Sequence, residues 1–402
     1  MKSEIAQPKL EILYVSHKYP PATGGMEQQS FALIQGTARF TKVHTLLYEQ
    51  QYSRVRFFLS LNKRIKKIIK ENPNIRLIHF NDGLIAAVAS YQKSYTHLKR
   101  VLTLHGLDIT FPLPYFQKKI IPRLNGYDKI IAVSRATADA AILRGIHADK
   151  IVVINNGVDA GTAESKEADF AVNIPRAAKV KPYFVMLGRP VKRKGFSWFL
   201  KEVLPKLQGN FQVIMVGPFN WKTTLFDRIL SVLPGKIQHY LTLFLGYPTD
   251  QAALRKLLPQ YGDRVRHLGK LPLKDLKIVL QQASAFLMPN IPVNGDMEGF
   301  GLVCLEASLA GSLVVASDLE GITNAIHHQK NGILLPACDS ACWAAKLQSV
   351  LDRPRFYKKQ AKKFQQYSQQ HYSWERMASE YMHLFESLLQ CNAGDTGQNG
   401  MR

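Results

Sequence analysis

Two scarcities in this sequence of 402 residues exclude whole classes of protein. It contains four cysteines, and none is part of the paired Cys and His spacing of a structural zinc site, so a disulfide framework and a metal centre are not expected. No apolar run approaches the roughly 18 residues of a membrane-spanning helix. Polar residues follow the short apolar block at 10–15, where a signal peptide would be cleaved, so we expect a cytoplasmic protein.

Acidic residues are scarce as well. The sequence has 30 acidic and 53 basic residues, which give a formal net charge of +23. Such a chain is attracted to polyanions, a class that includes nucleic acids, anionic lipids and phosphorylated substrates. We find no RNA-binding aromatic motif and no zinc finger, so no nucleic-acid partner is predicted. A basic nucleic-acid-binding protein and a non-catalytic scaffold are kept as alternatives from another class.

Apolar runs alternate with helical or polar stretches along most of the chain. The strand-like runs fall at residues 10–16, 43–48, 77–80, 101–104, 129–133 and 151–154, and again at 183–187, 211–216, 265–268, 285–288 and 313–316. Strands that alternate with helices are typical of parallel sheets. The sequence therefore predicts an α/β fold in which the same pattern occurs twice.

The length and one polar stretch predict two domains. Residues 160–181 are polar and charged, as expected of a linker. We predict a Rossmann-like domain over 1–175, a second over 176–370, a helix over 371–391 that returns to the first domain, and a disordered tail over 392–402. Parallel sheets of this kind bind ligands at the carboxyl ends of their strands, here in a cleft between the domains.

The first chemical motif is Glu-Gly-Phe-Gly-Leu-Val-Cys-Leu-Glu over residues 298–306. It predicts a helix from about Gly301 to Ala310. Because helix N-termini present unpaired N–H groups and a positive dipole end, Phe300 and Gly301 are placed to hold a diphosphate. Glu306 lies more than one turn inside the helix, where its carboxylate suits a ribose diol. A solvated helix glutamate is the alternative interpretation.

The second motif is Leu-Gly-Arg-Pro-Val-Lys-Arg-Lys-Gly over residues 187–195. A strand ends in glycine, and four cations and a second glycine follow. Cations at the carboxyl end of a strand suit a phosphate clamp, in which Arg acts as a planar fork and Lys as a point charge. A solvated basic loop is the alternative.

Together the two motifs resemble the retaining glycosyltransferases of family 4, and the resemblance covers nearly the whole chain. That family has the GT-B fold, in which two Rossmann-like domains have parallel sheets that face a central cleft. The resemblance implies that Arg189 and Lys194 bind the diphosphate of a nucleotide-sugar donor, that Glu298 faces the donor sugar, and that Glu306 holds the ribose. The donor-binding set that it implies is Gly24, Gly25, Gly188, Arg189, Lys194, Gly269, Leu271, Glu298, Phe300, Gly301, Leu302 and Glu306.

The N-terminal half resembles the same family. Gly24-Gly25 is similar to its glycine loop, and Leu-His-Gly-Leu-Asp over 104–108 is similar to its histidine turn, whose histidine contacts the transferred sugar. By itself a histidine at a strand end is more often structural. The resemblance places Asp108, Ser134 and Asn156 on the acceptor side. It gives His105 a catalytic role beside Arg189, Lys194 and Glu298.

The resemblance also implies a mechanism. An acceptor hydroxyl attacks the sugar from the face that the diphosphate leaves, so the configuration is retained without a protein nucleophile. Cations replace a divalent metal, and neither a metal nor another cofactor is expected. The transferred group is a hexose or an N-acetylhexosamine, and the acceptor is lipid-linked or a polysaccharide or lipopolysaccharide. A nucleotide-sugar epimerase of the same fold is the alternative.

Basic segments predict where the charge is used. Residues 54–70 form a basic amphipathic helix in which apolar side chains recur at Val55, Phe58, Leu61, Ile65, Ile68 and Ile69, and residues 111–124 mix cations with aromatics. Both suit peripheral binding to the anionic inner face of the cytoplasmic membrane. A core-facing stripe with a solvated basic back is the alternative. The connection over 218–263 is longer than in the family, and its apolar part at 237–245 is either a contact surface or a buried extra helix.

Overall fold

The computed structural model describes residues 10–22, 24–50, 53–159, 181–247 and 249–390. Over these ranges the chain forms two compact units. The first consists of the residues up to Gly157 together with those from Ser373 onward, and the second runs from Val158 to Tyr372. The predicted tail, and the predicted linker up to residue 180, lie outside the described residues.

Each unit contains one six-stranded sheet in which neighbouring strands are parallel. The strands of the first unit are β1 (Glu11–Ser16), β2 (Lys42–Leu47), β3 (Ile75–Phe80), β4 (Lys99–Leu104), β5 (Lys129–Ala132) and β6 (Ile151–Val153). Those of the second are β7 (Tyr183–Leu187), β8 (Gln212–Val216), β9 (Val265–His267), β10 (Ala285–Met288), β11 (Val314–Asp318) and β12 (Ile333–Pro336). The apolar runs predicted each of these strands except β12, a short edge strand that ends at the exposed Pro336. The predicted α/β class is confirmed.

Helices cover the sheets and connect their strands. They are α1 (Gly25–Thr37), α2 (Arg54–Glu71), α3 (Gly83–Ala89), α4 (Leu107–Thr110), α5 (Arg135–Ile142), α6 (Phe196–Trp198), α7 (Leu225–Val232), α8 (Gly235–Leu245), α9 (Gln251–Tyr261), α10 (Leu273–Gln282), α11 (Leu302–Leu309), α12 (Ile322–Ala325), α13 (Ser340–Asp352), α14 (Pro354–His371) and α15 (Trp374–Gln390). None of the helices in the described ranges is long and apolar enough to cross a membrane.

The order of the strands places one special point in each sheet. The first sheet has the order β2-β1-β3-β4-β5-β6, and the second has the order β12-β11-β10-β7-β8-β9. The direction in which strands are added therefore reverses between β1 and β3, and again between β7 and β10. Loops that leave neighbouring strands at such a point diverge to opposite faces of the sheet and leave a crevice in which α/β proteins bind ligands. We call these the first and the second switch point.

Large apolar side chains fill the space between each sheet and its helices. In the first unit Tyr381 and Phe385 of α15 pack with Tyr14 of β1 on one face of the sheet. The Tyr381 hydroxyl also lies 3.0 Å from the Thr103 hydroxyl, which fastens α15 to β4. In the second unit the indole of Trp343 is fully buried in the main core. Helix α15 is thus part of the core of the first unit.

The amphipathic helix predicted over 54–70 exists as α2, but its apolar stripe belongs to the core. Leu61 and Ile65 are fully buried, and Phe58, Ile68 and Ile69 pack half-buried against the same cluster. Parallel sheets need cover on both faces, and α2 supplies part of it. Val55, at the start of the helix, is 67% exposed, but the rest of the stripe faces the core, as in the alternative interpretation.

The long connection over 218–263 contains α7, α8 and α9. Thr242 and Leu243 of α8 are buried, whereas Ile237 and Leu245 are 48% and 55% exposed. The helix therefore has one packed side and one exposed apolar side. Each of the two interpretations of residues 237–245 describes one side of it.

Candidate functional site

The loop after β7 is in close contact with the loop after β10, at the second switch point. A short 3₁₀ turn over Lys192–Lys194 ends at Gly195, whose φ is +65°. A Cβ atom on Gly195 would lie 1.9 Å from the carbonyl oxygen of Pro289. Only glycine combines this backbone conformation with so close an approach. The two motifs found in the sequence are thereby brought together.

Their charged side chains form a network. Lys194 Nζ donates to Glu298 Oε2 over 2.7 Å. The guanidinium of Arg193 donates to Glu298 as well, and its Nε donates to Asp296 Oδ1 over 3.1 Å. We call Arg193, Lys194, Asp296 and Glu298, together with Glu320, the charge cluster. The sequence predicted Lys194 and Glu298, and the structure places them in direct contact.

The charges in this cluster control one another. Burial opposes the ionisation of Glu298, but the positive charges of Arg193 and Lys194 outweigh it and hold the pKa of Glu298 at about 2. Burial lowers the pKa of the Lys194 ammonium, although Glu298 acts in the opposite direction. Glu298 is therefore a carboxylate at neutral pH. Its negative charge is shared between two cations.

Glu320 enters the cluster from the loop after β11. Its Oε2 accepts a hydrogen bond of 2.6 Å from the backbone N–H of Glu298. Burial raises the pKa of Glu320 to about 7. Burial also raises the pKa of Asp296, against the effect of Arg193. Glu320 therefore changes its charge near neutral pH while it is hydrogen-bonded to the backbone of Glu298, the predicted sugar-facing residue.

Sequence reasoning missed part of this cluster. Arg193 lies inside the basic motif, and Asp296 lies two residues before Glu298, so both had a local signal. Glu320 had none, since it is 22 residues beyond Glu298 and follows a different strand. Only the adjacency of β10 and β11 joins them.

The start of α11 lies beside this network. The residue before the helix is Gly301, with φ of +87°, and no side chain caps the helix there. Phe300 is buried, with its ring 6.4 Å from that of Tyr372, and Leu302 is also buried. Their side chains therefore belong to the core, and the part of this segment suited to an anion is its backbone. Glu306 is half-buried one turn further on.

The remaining donor-side residues lie around the same loops. Gly188 follows β7, and its N–H donates to the Val216 carbonyl over 2.9 Å. Arg189 is exposed and donates over 3.1 Å to the carbonyl of Gly246, just after α8. It is thus held by the long connection and is not a member of the charge cluster. The donor roles predicted for these residues stay predictions.

The loop that carries the predicted donor-binding residues Gly269 and Leu271 follows β9. Gly269 accepts a 2.9 Å hydrogen bond from the N–H of Gly217, which ties the end of β9 to the end of β8. Its own N–H donates to Nδ1 of His267 over 3.0 Å. Leu271 follows, half-buried. These hydrogen bonds fix the shape of the loop, and its contact with the donor stays a prediction.

In the first unit, His105 is held at the end of β4. Its ring Nε2 lies 2.8 Å from the carbonyl oxygen of Asn81, and its backbone N–H donates to Asp108 Oδ1 over 2.9 Å. Asp108 also accepts from the N–H groups of Gly83 and Gly106, each over 2.9 Å. Burial raises the pKa of this carboxyl group. In the structure Asp108 shapes the histidine turn, and its acceptor-side role stays a prediction.

A histidine–carboxylate pair at the first switch point was missed. His17 follows β1 and Asp82 follows β3, and His17 Nδ1 lies 2.8 Å from Asp82 Oδ2. The other oxygen of Asp82 caps α3 through the N–H groups of Leu84 and Ile85. Burial opposes ionisation of Asp82, but His17 outweighs it and lowers the pKa. Polar residues directly after two neighbouring strands were the available signal.

The other predicted residues of the first unit occupy helix starts and strand ends. Gly25 begins α1, and Gly24 before it is exposed. Ser134 caps α5, because its Oγ accepts from the N–H of Thr137 over 3.0 Å. Asn156 is buried, and among the described residues its Oδ1 has no hydrogen-bond partner. Such an acceptor is one for which a ligand hydroxyl is a suitable partner.

With this geometry in place, comparison with known proteins gives the class. A family model described as glycosyl transferases group 1 matches residues 168–371, and one described as glycosyltransferase family 4 matches residues 10–161. The chain belongs to the group 1 glycosyl transferases, with the family 4 type of N-terminal half.

Curated relatives agree with this assignment. The chain is 26% identical over 279 residues to the amylovoran biosynthesis glycosyltransferase AmsK of Erwinia amylovora, an alignment that covers 68% of this chain and 60% of AmsK. It is 26% identical to a D-inositol 3-phosphate glycosyltransferase of Corynebacterium urealyticum, over 90% of this chain and 76% of the relative. It is also 28% identical to a phosphatidyl-myo-inositol mannosyltransferase of Mycobacterium leprae, over 44% and 46%.

Solved structures share the fold. HepE of Anabaena, in complex with UDP and glucose, is similar with a TM-score of 0.65 at 20% identity, covering 94% of this chain and all of HepE. Sucrose-phosphate synthase of Thermosynechococcus elongatus has a TM-score of 0.68 at 19% identity, covering 95% of this chain and 100% of the other. The fold is therefore α/β of the GT-B type.

Proposed function

We propose that the chain is a retaining, metal-independent glycosyltransferase. It moves a hexose or an N-acetylhexosamine from a nucleoside diphosphate sugar to a lipid-linked or polysaccharide acceptor. The solved complexes of HepE with UDP and with UDP-glucose support a nucleotide-sugar donor. The relatives support the acceptor class, because one is named for amylovoran biosynthesis and another for mannosyl transfer to phosphatidyl-myo-inositol.

The observation that carries the proposal is the contact between Lys194 and Glu298. Lys194 follows β7, Glu298 follows β10, and their charged atoms are 2.7 Å apart at a switch point. Beside them α11 begins after Gly301, without a side-chain cap. A buried ammonium next to an uncapped helix start is suited to an anionic leaving group. A nucleoside diphosphate is a leaving group of this kind.

The proposed chemistry depends on where charge develops. As the bond from the sugar to the diphosphate breaks, the anomeric carbon becomes positive and the diphosphate becomes more negative. Lys194, Arg189 and the start of α11 stabilise the departing diphosphate, and they are oriented before the reaction begins. Glu298 is paired with two cations, so we assign it to orienting Lys194 and facing the sugar, not to forming a covalent intermediate. We keep His105 as the histidine proposed to contact the transferred sugar.

The proposed reaction needs no metal, because cations of the protein supply the positive charge. A divalent metal in a sugar transferase neutralises the diphosphate, and Arg189 with Lys194 supplies the same charge. We therefore propose transfer that continues in the presence of a chelator. No other cofactor is proposed.

The net charge suggests where the acceptor is met. We propose peripheral association with the anionic inner face of the cytoplasmic membrane. The core position of the α2 stripe leaves residues 111–124 as the support for this in the first unit, where Leu113 and Tyr115 are exposed next to Lys118 and Lys119. Aromatic and aliphatic side chains among cations suit such a surface.

The first experiment is a thermal-shift screen of UDP, GDP, ADP and their sugars, with EDTA present. A bound ligand stabilises the protein by about 2.7 kcal/mol at a hundred times its Kd, so the donor base should be distinguishable. The best donor is then incubated alone and with a membrane lipid extract, and the anomeric configuration of the product is read by NMR. Retention with the extract supports the proposal.

Two outcomes contradict it. If no nucleoside diphosphate raises the melting temperature, the donor assignment is wrong. If the donor alone is converted to a different nucleotide sugar, the protein is an epimerase of the same fold. An inverted product would leave sugar transfer in place and overturn retention.

A further inference from the structure

The long connection in the second unit has an exposed apolar face. On α7 the side chains at i, i+4 and i+7 point the same way, and on α8 those at i, i+4 and i+8 do so. The residues are Leu225, Ile229, Val232, Ile237, Leu241 and Leu245, and each is between 37% and 81% exposed. Two residues join α7 to α8, so we call residues 221–245 the apolar hairpin, and we call its two exposed stripes the apolar face. Exposed apolar side chains grouped in this way mark an interaction surface.

The other side of the hairpin is packed, so the exposed face is held in place. Leu230 of α7 and Leu243 of α8 are buried. Asp227 accepts from Arg255 of α9 over 3.1 Å and from the hydroxyl of Tyr247. A capping box formed by Thr224 and Asp227 fixes the start of α7. The apolar face is therefore a built surface and not a frayed end.

Charge on the hairpin identifies the kind of partner. Between residues 219 and 249 the cations are Lys222, Arg228 and Lys236, all exposed, and the one acid is Asp227. That acid faces Arg255 and is half-buried, so the exposed charge around the apolar face is positive. Trp221, at the base of the hairpin, is 58% exposed. Apolar anchors with a basic rim and an indole at the edge fit the surface of an anionic bilayer.

We propose that the apolar hairpin docks on an anionic lipid surface, with the exposed side chains of α7 and α8 inserted between the headgroups. This rests on the membrane association proposed above and assigns it to a particular element of the second unit. The hairpin also lies close to both donor loops. His239 Nε2 lies 3.0 Å from the carbonyl oxygen of Asn294, and Arg189 donates a hydrogen bond to the carbonyl of Gly246, the residue that follows α8. Docking through it places the donor loops next to the lipid that carries the acceptor.

The experiment compares two double variants with wild type by co-sedimentation with phosphatidylglycerol–phosphatidylcholine vesicles at low salt. Leu225→Ser with Val232→Ser removes two side chains that are 74% and 81% exposed. We expect the partition coefficient to fall at least about tenfold, because each side chain loses its apolar burial in lipid. The matched control is Leu59→Ser with Leu143→Ser, which are both 84% exposed in the first unit. The control should bind like wild type.

A second pair of variants tests the charge. Lys222→Gln with Lys236→Gln should weaken binding roughly fivefold for each cation removed, and pure phosphatidylcholine should bind little of any variant. Lys358→Gln with Lys359→Gln, two exposed cations of α14, is the control. Melting temperatures, and stabilisation by the nucleotide that the screen identifies, should match wild type for every variant.

The outcomes separate this inference from the broader proposal. If wild type binds vesicles and the hairpin variants bind equally well, the hairpin assignment is overturned while membrane association stands. If wild type does not bind at all, both fail, and the donor assignment is unaffected. If light scattering shows a wild-type dimer that Leu225→Ser with Val232→Ser converts to a monomer, the partner is a second copy and not a lipid.

Discussion

The two switch points lie at equivalent places in two sheets, yet they carry different chemistry. After β7 and β10 the structure has two largely buried cations, Arg193 and Lys194, paired with carboxylates. After β1 and β3 it has His17 and Asp82, and Asp82 is also committed to backbone N–H groups. The backbone arrangement is shared, and the side chains decide what each crevice holds.

This difference suggests a division of work. The charge cluster keeps cations buried next to a helix start, which suits an anion that arrives and leaves. At the first switch point the buried hydroxyl of Ser16 and the buried amide of Asn81 lie beside the paired His17 and Asp82, a set that suits an uncharged polyhydroxyl group. That division matches the donor and acceptor sides of the proposed reaction. The predictions below test it, from the largest expected effect to the smallest.

Lys194→Met tests the donor role of the second switch point. It removes the buried ammonium and leaves Glu298 paired with Arg193 alone. We expect turnover to fall by about a hundredfold or more, as for loss of a preorganised donor to developing charge. Lys192→Met, an exposed cation on the same turn, should stay near wild type. Near wild-type turnover of Lys194→Met, measured with the donor from the screen, would defeat the donor-site assignment.

Gly195→Ala tests whether the second switch point depends on close approach of its loops. The substitution combines a left-handed backbone with a clash against Pro289, so the free energy of unfolding should fall by roughly 3 kcal/mol. Gly209→Ala has a φ of +98° but nothing within 4 Å, and should cost only about 1 kcal/mol. Urea unfolding measures both. Equal losses would show that backbone strain alone matters.

Asp82→Asn tests the first switch point. The buried carboxylate pairs with His17, and its removal should cost about 1 to 3 kcal/mol at neutral pH. Because folding lowers the pKa of Asp82 below its ordinary 3.8, its contribution is present above that pH and is lost as the pH falls. The gap between variant and wild type should therefore close in acid. The exposed Asp149→Asn should show no gap at any pH.

Glu320→Gln tests the charge cluster through the pH dependence of stability. Folding raises the pKa of Glu320 from 4.5 to about 7, so the folded state binds its proton more tightly. Its contribution to stability is full below pH 4.5 and is lost as the pH rises through 7. The variant should therefore be more stable than wild type above pH 7, by on the order of 1 to 2 kcal/mol. Glu375→Gln, at an exposed site, is the control. Parallel pH profiles of Glu320→Gln and wild type would refute the shift.

Much of the fold could be predicted because buried parallel strands leave a plain signal. Residues in β7 and β10 are apolar throughout, and the predicted bounds of both are those observed. The stripe of α2 was equally clear, but periodicity states only that a helix has an apolar side and does not say what that side meets. Leu61 and Ile65 meet the core.

The candidate site was predictable where its signal is local. Lys194 and Glu298 lie in compact motifs, whereas Glu320 and the pairing of His17 with Asp82 depend on which strands are neighbours. Strand order is not written in any window of the sequence. It follows from the packing of the whole sheet.

The sequence by itself determined the strand and helix content, the charge, and the two motifs near residues 190 and 300, because each depends on neighbouring residues. Tertiary structure alone decided that Arg193 and Lys194 share the carboxylate of Glu298, that Glu320 joins them, and that the hairpin keeps an apolar face exposed. Contacts between residues far apart in the chain exist only once the sheet has fixed which loops meet. The electrostatics of those contacts follow from burial, and burial belongs to the folded chain.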